Sequence, residues 1–204
     1  QAVAHAEILQ ASQVRIGEPY LGLDLAAIRA RVAALPRVAA VEVTRDYPSS
    51  LHIAVTERPA VASVSTGALF WLVAADGTVL GSATARPPEL PYVANVPLPA
   101  GLQPGSRLPP GNELANALTA LGGMDPKLER EVTGVAARSL DSLEFTLKDG
   151  TRVLYGLAVD QPAKDAAVLL VRRTLKREGR EAERIDVRNP SAPTVMAAPA
   201  DNNG

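Results

Sequence analysis

Residues 24–59 read DLAAIRARVAALPRVAAVEVTRDYPSSLHIAVTERP, and this stretch decides the architecture of the first part of the chain. Asp24 can accept hydrogen bonds from free backbone N–H groups and so begin a helix. Behind it, apolar residues recur at three- and four-residue spacing until a proline interrupts them, which is the pattern of an amphipathic helix. That helix contains Leu25, Ile28, Val32 and Leu35 and stops at Pro36.

The second half of the stretch alternates apolar and polar residues, as strands with one buried face do. Val41 and Val43 lead into a turn at residues 47–50, and a second alternating run follows it, with Leu51, Ile53 and Val55 as its apolar members. We therefore predict an antiparallel hairpin whose apolar face is covered by helices.

Upstream, apolar spacing predicts a short helix from Ala4 to Gln13, which Gly17 and Pro19 break. The first part of the chain thus reads helix, helix, strand, strand. A two-stranded sheet is marginal by itself, so we expect a third strand that is weak or missing here. It would come from upstream of Gln1 or from the next domain.

From Ala60 onward the pattern changes to short strands and turns. Segments 70–74 and 78–80 flank Asp76-Gly77, which is a strong hairpin signal. The segment 86–111 is dense in proline and glycine, and we predict an extended connection on the surface.

Two helices and further strands follow. Asn112 can cap a helix that ends at Gly122-Gly123, where glycine allows a left-handed backbone. The longest helix runs from Pro162 to Gly179 with one face formed by Ala163, Ala167, Leu170 and Thr174. Strands are predicted around 132–137, 143–147, 153–155, 185–187 and 194–197.

The fold class is therefore α+β, with a small helix-and-hairpin domain followed by a mostly antiparallel β domain with two helices.

Composition excludes several classes of partner. The 204 residues include 21 basic and 22 acidic ones, so no long-range field favours nucleic acid. Cysteine is absent, which excludes disulfides and thiolate metal sites. There is no apolar run of about 18 residues, and the first residue is Gln1 rather than Met. We expect a soluble segment from which something upstream, such as a membrane anchor, was removed.

Residues that could support catalysis are few. His5 and His52 are the only histidines, and both are expected to be ordinary surface residues. No Gly-x-Ser-x-Gly, phosphate-binding glycine loop or closely spaced metal ligands occur. Asp76 and Asp149 each precede a glycine, where a carboxylate stabilises a turn. We expect a binding protein with no catalytic residues, no cofactor and no metal.

Two features could bind a partner. Near the end of the longest helix lies a basic cluster of Arg172, Arg173, Lys176, Arg177 and Arg180, which a solvated helix terminus explains more simply than an anionic ligand does. The last strand, around Ala192 to Ala197, is expected at a sheet edge, where a partner could add a strand. Alternatively, Pro193 only protects that edge.

Several short motifs resemble the FtsQ/DivIB family of bacterial cell-division proteins. Its POTRA module is matched in order by Gly17-Glu18-Pro19, Leu35-Pro36-x-Val38, Val43-x-Arg45-x-Tyr47-Pro48 and Val55-x-Glu57-Arg58-Pro59. Asp76-Gly77-x-Val79 resembles a turn early in the family's β domain, and Ile185-Asp186-Val187-Arg188 resembles its near-terminal Asp-Leu-Arg strand. The resemblance covers nearly the whole chain.

The resemblance implies a POTRA domain at 1–58 and a β domain at 59–198; the tail 199–204 is expected to be disordered. It also implies a bitopic inner-membrane protein, with one upstream transmembrane helix, whose outward part works at the septum with FtsB, FtsL and other divisome membrane proteins. In the family a strand of FtsB pairs with the segment that corresponds here to Arg188, Asn189, Ser191, Ala192, Thr194, Val195 and Met196. Val43 and Arg45 correspond to a possible recruitment patch.

Two departures from the family pattern stand out, since Asn189-Pro190 replaces the usual tyrosine and glycine-rich turn and aromatic anchors near the end are absent. We expect a non-enzymatic scaffold of the division machinery, located on the periplasmic side of the cytoplasmic membrane. The alternatives are a POTRA module of outer-membrane assembly or secretion and an envelope enzyme acting on peptidoglycan. The enzyme would need two carboxylates, or a serine and a base, within hydrogen-bond reach.

Overall fold

The computed structural model of the chain describes residues 3–67, 69–94, 96–109 and 112–197. It separates into two compact units, unit 1 at Gln1–Pro59 and unit 2 at Ala60–Gly204. The predicted tail at 199–204 lies outside the described residues.

Unit 1 has the predicted order of two helices and a hairpin. Asp24 caps the second helix, since its Oδ1 accepts hydrogen bonds from the N–H groups of Ala26 and Ala27 at 3.0 and 3.1 Å. The elements are α1 (His5–Ser12), a 3-10 turn (Tyr20–Gly22), α2 (Leu25–Ala33), β1 (Val38–Asp46) and β2 (Ser50–Glu57). The predicted helices and the hairpin are confirmed.

The core of unit 1 lies between the helices and one face of the hairpin. Its buried members are Val3, Val32, Val38 and Val41. Arg31 of α2 fixes the end of α1, because its guanidinium donates to the Ser12 carbonyl at 2.7 and 3.2 Å. Within the described residues the sheet of unit 1 has two strands. The next strand along the chain joins the sheet of unit 2 instead, so it does not provide the expected third strand.

Unit 2 is a single nine-stranded sheet with helices. Its elements are β3 (Ala60–Ser65), β4 (Phe70–Ala74), β5 (Val79–Ala83), β6 (Tyr92–Ala94), α3 (Glu113–Gly122), α4 (Pro126–Glu129), β7 (Val132–Ala137), β8 (Leu143–Leu147), β9 (Arg152–Leu154), α5 (Gln161–Glu178), β10 (Ala182–Asp186) and β11 (Thr194–Ala197). The short helix α4, begun by Pro126 and capped by Asp125, was not predicted.

The strand order across the sheet is β11-β10-β9-β8-β7-β6-β3-β4-β5. Neighbours are antiparallel except at β9/β10, β3/β6 and β6/β7. Helix α3 packs against β3, β7 and β8, and α5 packs against β10. The predicted fold class, α+β with a mostly antiparallel sheet, is confirmed.

The proline-rich segment 86–111 is more than a surface connection, and that prediction was wrong. It contributes β6, which lies in the middle of the sheet and buries Val93. It also covers the edge strand β5, because the Val79 N–H donates to the Ser106 carbonyl and the Gly105 N–H donates to the Val79 carbonyl, both at 2.8 Å. Prolines hid this pairing in the sequence because they interrupt any strand-like alternation.

The buried face of α5 also differs from the prediction. Leu170 is 58 % exposed, whereas Lys164 and Asp165 are buried together with Val168. The Lys164 ammonium donates to the carbonyls of Tyr155 and Leu157 at 2.9 and 2.7 Å. The prediction assumed that charged residues lie outside the core and therefore assigned the wrong face of α5. Here hydrogen bonds offset the cost of burying Lys164 and Asp165.

Asp165 ties α5 to the end of β9. Its Oδ1 accepts the hydroxyl hydrogen of Tyr155 at 2.8 Å, and its Oδ2 accepts the N–H of Asp125 at 2.7 Å. Burial raises the pKa of Tyr155 well above its ordinary value, and the neighbouring carboxylate of Asp165 raises that pKa further. Folding therefore favours the neutral phenol.

A pH-dependent stability follows from the raised pKa of Tyr155. Unfolded tyrosine ionises near pH 10 while folded Tyr155 stays neutral, so wild-type stability should fall as the pH rises above about 10. Tyr155→Phe should cost about 1–3 kcal/mol at pH 7, since Asp165 loses a buried donor. The variant should also lose less stability above pH 10. Urea denaturation from pH 7 to 11 measures both, and equal slopes for the two proteins would contradict this account.

The glycines at the end of α3 serve close packing. The prediction of a left-handed backbone there was wrong, since Gly123 has φ −107°. A Cβ atom at Gly122 would stand 2.4 Å from the Cβ of Ala75, and one at Gly123 would stand 2.3 Å from the Gln161 Oε1. Glycine is needed at position 122, because the Cβ of Ala75 cannot move away without its backbone, whereas the Gln161 side chain near Gly123 can rotate.

Gly122→Ala should therefore destabilise unit 2 by about 1–3 kcal/mol through overpacking against Ala75. Gly134→Ala is the matched control, because its added Cβ would meet nothing nearer than Thr146 at 3.7 Å. Thermal unfolding of the two variants measures the difference. A Gly122→Ala protein as stable as the control would contradict the packing argument.

Candidate partner-binding site

The last strand, β11, forms one edge of the nine-stranded sheet. Its inner side pairs with β10, with Val195 opposite Ile185 and Thr194 opposite Asp186. Within the described residues, no segment pairs with its outer side. At the opposite edge, residues 105–108 pair with the start of β5 at Val79, so the two edges differ.

An apolar row crosses the sheet and ends at this edge. The strand registers place Val93, Val135, Phe145, Val153 and Ile185 side by side on the face that carries the core, and all five are buried. Val195 is the next residue in the row, but it is 40 % exposed. A strand added outside β11 would bury Val195 and continue the row.

The segment before β11 is a compact turn. The Asn189 Oδ1 accepts the Ser191 N–H at 3.2 Å, and the Asn189 carbonyl accepts the Ala192 N–H at 3.2 Å. Pro193 stands outside β11, and the four strand residues all keep their N–H groups. The proline therefore does not remove a donor from the strand.

Arg188 holds the start of this turn through Asp186. Its Nη2 donates to the Asp186 Oδ2 at 2.6 Å, and its Nε donates to both carboxylate oxygens at 3.0 and 3.1 Å. This hydrogen bonding keeps the pKa of Asp186 below its ordinary value. The structure thus brings the predicted partner-binding residues from Arg188 to Met196 together at one edge.

Val43 and Arg45 lie on β1 in unit 1, a strand whose one described partner is β2. Val43 is half-buried and packs against the core of unit 1. The Arg45 Nη2 donates to the Leu23 carbonyl at 2.6 Å. Both residues therefore have structural contacts on the face that the helices cover, and a recruitment role for them stays a prediction.

The residues considered for catalysis are scattered. His5 and His52 are exposed, one on α1 and the other on β2. Asp76 and Asp149 accept the N–H groups of Thr78 and Thr151, both at 3.0 Å, as expected of turn residues. Across residues 3–67, 69–94, 96–109 and 112–197, no cluster of three acidic, histidine or cysteine side chains could hold a metal ion.

One serine does contact a carboxylate. Ser139 donates to the Asp141 Oδ1 at 2.6 Å in an exposed turn. This hydrogen bond lowers the pKa of Asp141, which makes the carboxylate a weaker base and a poor activator of a hydroxyl. The pair stabilises the turn between β7 and β8.

The basic cluster of α5 lies beside β10, the strand next to β11. Arg172 pairs with Asp149 at 2.5 Å and with Glu131 at 3.6 Å. Arg173, Lys176 and Arg180 line a groove of about 690 Å³ together with Ala182 and Ile185 of β10. Sequence reasoning missed this groove, because two of its acidic residues, Glu131 and Asp149, come from turns distant in sequence from α5.

Within the described part of the chain, no helix is long and apolar enough to cross a bilayer.

Comparison with known proteins matches both units. A family model described as POTRA domain, FtsQ-type, matches residues 1–58, and one described as cell division protein FtsQ/DivIB, C-terminal, matches residues 62–188. The solved extracytoplasmic domain of DivIB from Geobacillus stearothermophilus is 14 % identical, with a TM-score of 0.34, over 48 % of this chain and 76 % of that one.

Relatives named cell division protein FtsQ align along almost the whole chain. The protein of Mycobacterium leprae is 31 % identical over 96 % of this chain and 52 % of its own length. That of Mycobacterium tuberculosis is 33 % identical over 95 % and 57 %, and that of Streptomyces coelicolor is 28 % identical over 92 % and 71 %. The chain spans just over half the length of the mycobacterial relatives. Since the C-terminal model matches more than half of it, the chain belongs to the FtsQ/DivIB family of cell division proteins.

Proposed function

We propose that this chain is a non-enzymatic scaffold of the bacterial division machinery, and that it binds a partner by strand addition at β11. The observation that carries the proposal is the contrast between the two edges of the sheet. Residues 105–108 pair with the turn before β5 and with its first residue, Val79, whereas no segment pairs with the outer side of β11 within the described residues. The match to the C-terminal family model ends at Arg188, so the proposal for β11 rests on the structure.

Strand addition suits the physical chemistry of this edge. Outward N–H and C=O groups of an edge strand can be satisfied by a partner's backbone, which supplies affinity without matching side chains closely. Each hydrogen bond contributes about 0.5–1.5 kcal/mol net, so four residues provide a modest but useful anchor. Burial of Val195 and Met196, which are 40 % and 44 % exposed, adds an apolar contribution.

The partners proposed for β11 are proteins of the FtsB and FtsL type, following the family resemblance. We assign residues 1–58 to a POTRA domain and 59–198 to the β domain, and propose that the POTRA domain contacts other divisome membrane proteins. The whole protein would be anchored by one upstream transmembrane helix. Its outward part would then act at the septum on the periplasmic side of the cytoplasmic membrane.

Two other functions have less support. A POTRA module of outer-membrane assembly or secretion would not be expected to carry the FtsQ/DivIB domain that residues 62–188 match. An enzyme acting on peptidoglycan would need two carboxylates within reach of each other, or a serine beside an effective base. The Ser139–Asp141 pair at 2.6 Å does not provide one, because the carboxylate has a lowered pKa.

Substitution of Val195 tests the proposal. Val195→Pro removes a backbone donor from β11, and Val195→Asp places a charge at the end of the apolar row, so both should weaken binding at least about tenfold. The probes are the extracytoplasmic segments of the FtsB- and FtsL-type proteins from the same cell, titrated by calorimetry. Circular dichroism checks that both variants remain folded.

Val159→Asp is the matched control, because Val159 is also exposed but lies in the loop before α5. It should bind like the wild type. If Val195→Asp and Val159→Asp bind equally well, or if the wild type binds neither segment, β11 is not the partner site.

A further inference from the structure

A groove lies between α5 and β10, the strand next to β11. Ile185 and Ala182 of β10 line it, and the register pairs these two residues with Val195 and Ala197 of β11. A strand added outside β11 would continue these rows. Two of its side chains, two positions apart, would therefore stand at the entrance of the groove.

The charged side chains that line the groove differ in whether they have an ion-pair partner. Arg172 is held by Asp149 and Glu131, so these carboxylates already have a partner. Burial by itself would raise the pKa of Asp149, but hydrogen bonds from Thr151 and the charge of Arg172 outweigh it and keep that pKa low, so this pair stays ionised. Arg180 contacts the exposed Glu178 at 3.0 Å. Within the described residues, Arg173 and Lys176 have no carboxylate partner, and Glu181 is the other acidic residue lining the groove.

The small side chain of Ala197 leaves the groove accessible from the edge. Ala197 is opposite Ala182, close to where the chain leaves α5 at Gly179 and enters β10. A partner side chain opposite Ala197 would thus point toward Lys176 and Arg180 across two methyl groups. A side chain opposite Val195 would meet the apolar row instead.

We propose that the partner's strand carries an apolar residue opposite Val195 and a carboxylate opposite Ala197, which enters the groove and pairs with Lys176, Arg180 and Arg173. This inference rests on the proposed strand addition at β11 and specifies what that site selects. A second copy of this chain is a poor occupant, because its own edge strand, Thr194-Val195-Met196-Ala197, contains no acidic residue. The alternation of apolar and acidic residues gives the added strand a unique register.

The three cations proposed for this pairing are exposed in the free protein, and the Arg180 side chain is 58 % exposed. The added strand would cover part of the groove and so strengthen the pairing relative to one on an open surface. Loss of the pairing should therefore reduce affinity about tenfold, and high salt should weaken wild-type binding more than variant binding.

Charge reversal tests this inference. The variant Lys176→Glu with Arg180→Glu removes both cations from the groove entrance. The control, Arg29→Glu with Arg177→Glu, makes the same change in net charge at exposed positions, one in unit 1 and one on α5 outside the groove lining. Both are titrated with the extracytoplasmic segment of the FtsB-type protein at low and high salt, with folding checked by thermal unfolding.

We expect the groove variant to bind about tenfold more weakly with a reduced salt dependence, and the control to stay within about twofold of the wild type. Changing each acidic residue of the segment to lysine should identify one whose replacement restores binding to the groove variant. If the groove variant binds like its control while Val195→Asp abolishes binding, strand addition stands and the carboxylate pairing is wrong. If Val195→Asp binds normally, both proposals fail.

Discussion

Every backbone N–H and C=O in a sheet needs a hydrogen-bond partner, and the strands of unit 2 meet this need through their neighbours up to β11. The order of the strands decides where the ladder ends. At one end, residues 105–108 supply partners to the first residue of β5, Val79. At the other, the strand β11 follows β10 after a short turn, and its outer groups face away from the sheet.

The same sheet explains the placement of the helices and of the charged groove. The apolar row from Val93 to Ile185 is buried, and α5 packs against β10 at its far end. Lys164 and Asp165 hold α5 to the end of β9 through hydrogen bonds rather than apolar contacts. Because α5 is fixed in this way, its exposed basic C-terminal turns line a groove beside β10, the strand next to β11.

Sequence patterns correctly predicted the elements that depend on interactions between residues close together in the chain. Asp24 capped its helix, and Asp76-Gly77 made its hairpin, because both effects depend on residues only a few positions apart. The edge position of the last strand also followed from its place at the end of the alternating segments.

Effects that depend on distant residues could not be predicted in this way. Val93 looked like part of a proline-rich loop, since only β3 and β7 make it a central strand. The need for glycine at position 122 arises from Ala75, and the burial of Asp165 requires Tyr155 and Asp125. For the groove, the pairing of Arg172 with Glu131 and Asp149 leaves Arg173 and Lys176 as the available cations.

Hydrogen exchange of the amides of Thr194–Ala197, with and without the FtsB-type segment, tests strand addition at β11 most directly. The account predicts that exchange of the outward-facing amides slows at least about tenfold on binding; unchanged exchange in β11, with protection appearing only in unit 1, would contradict it.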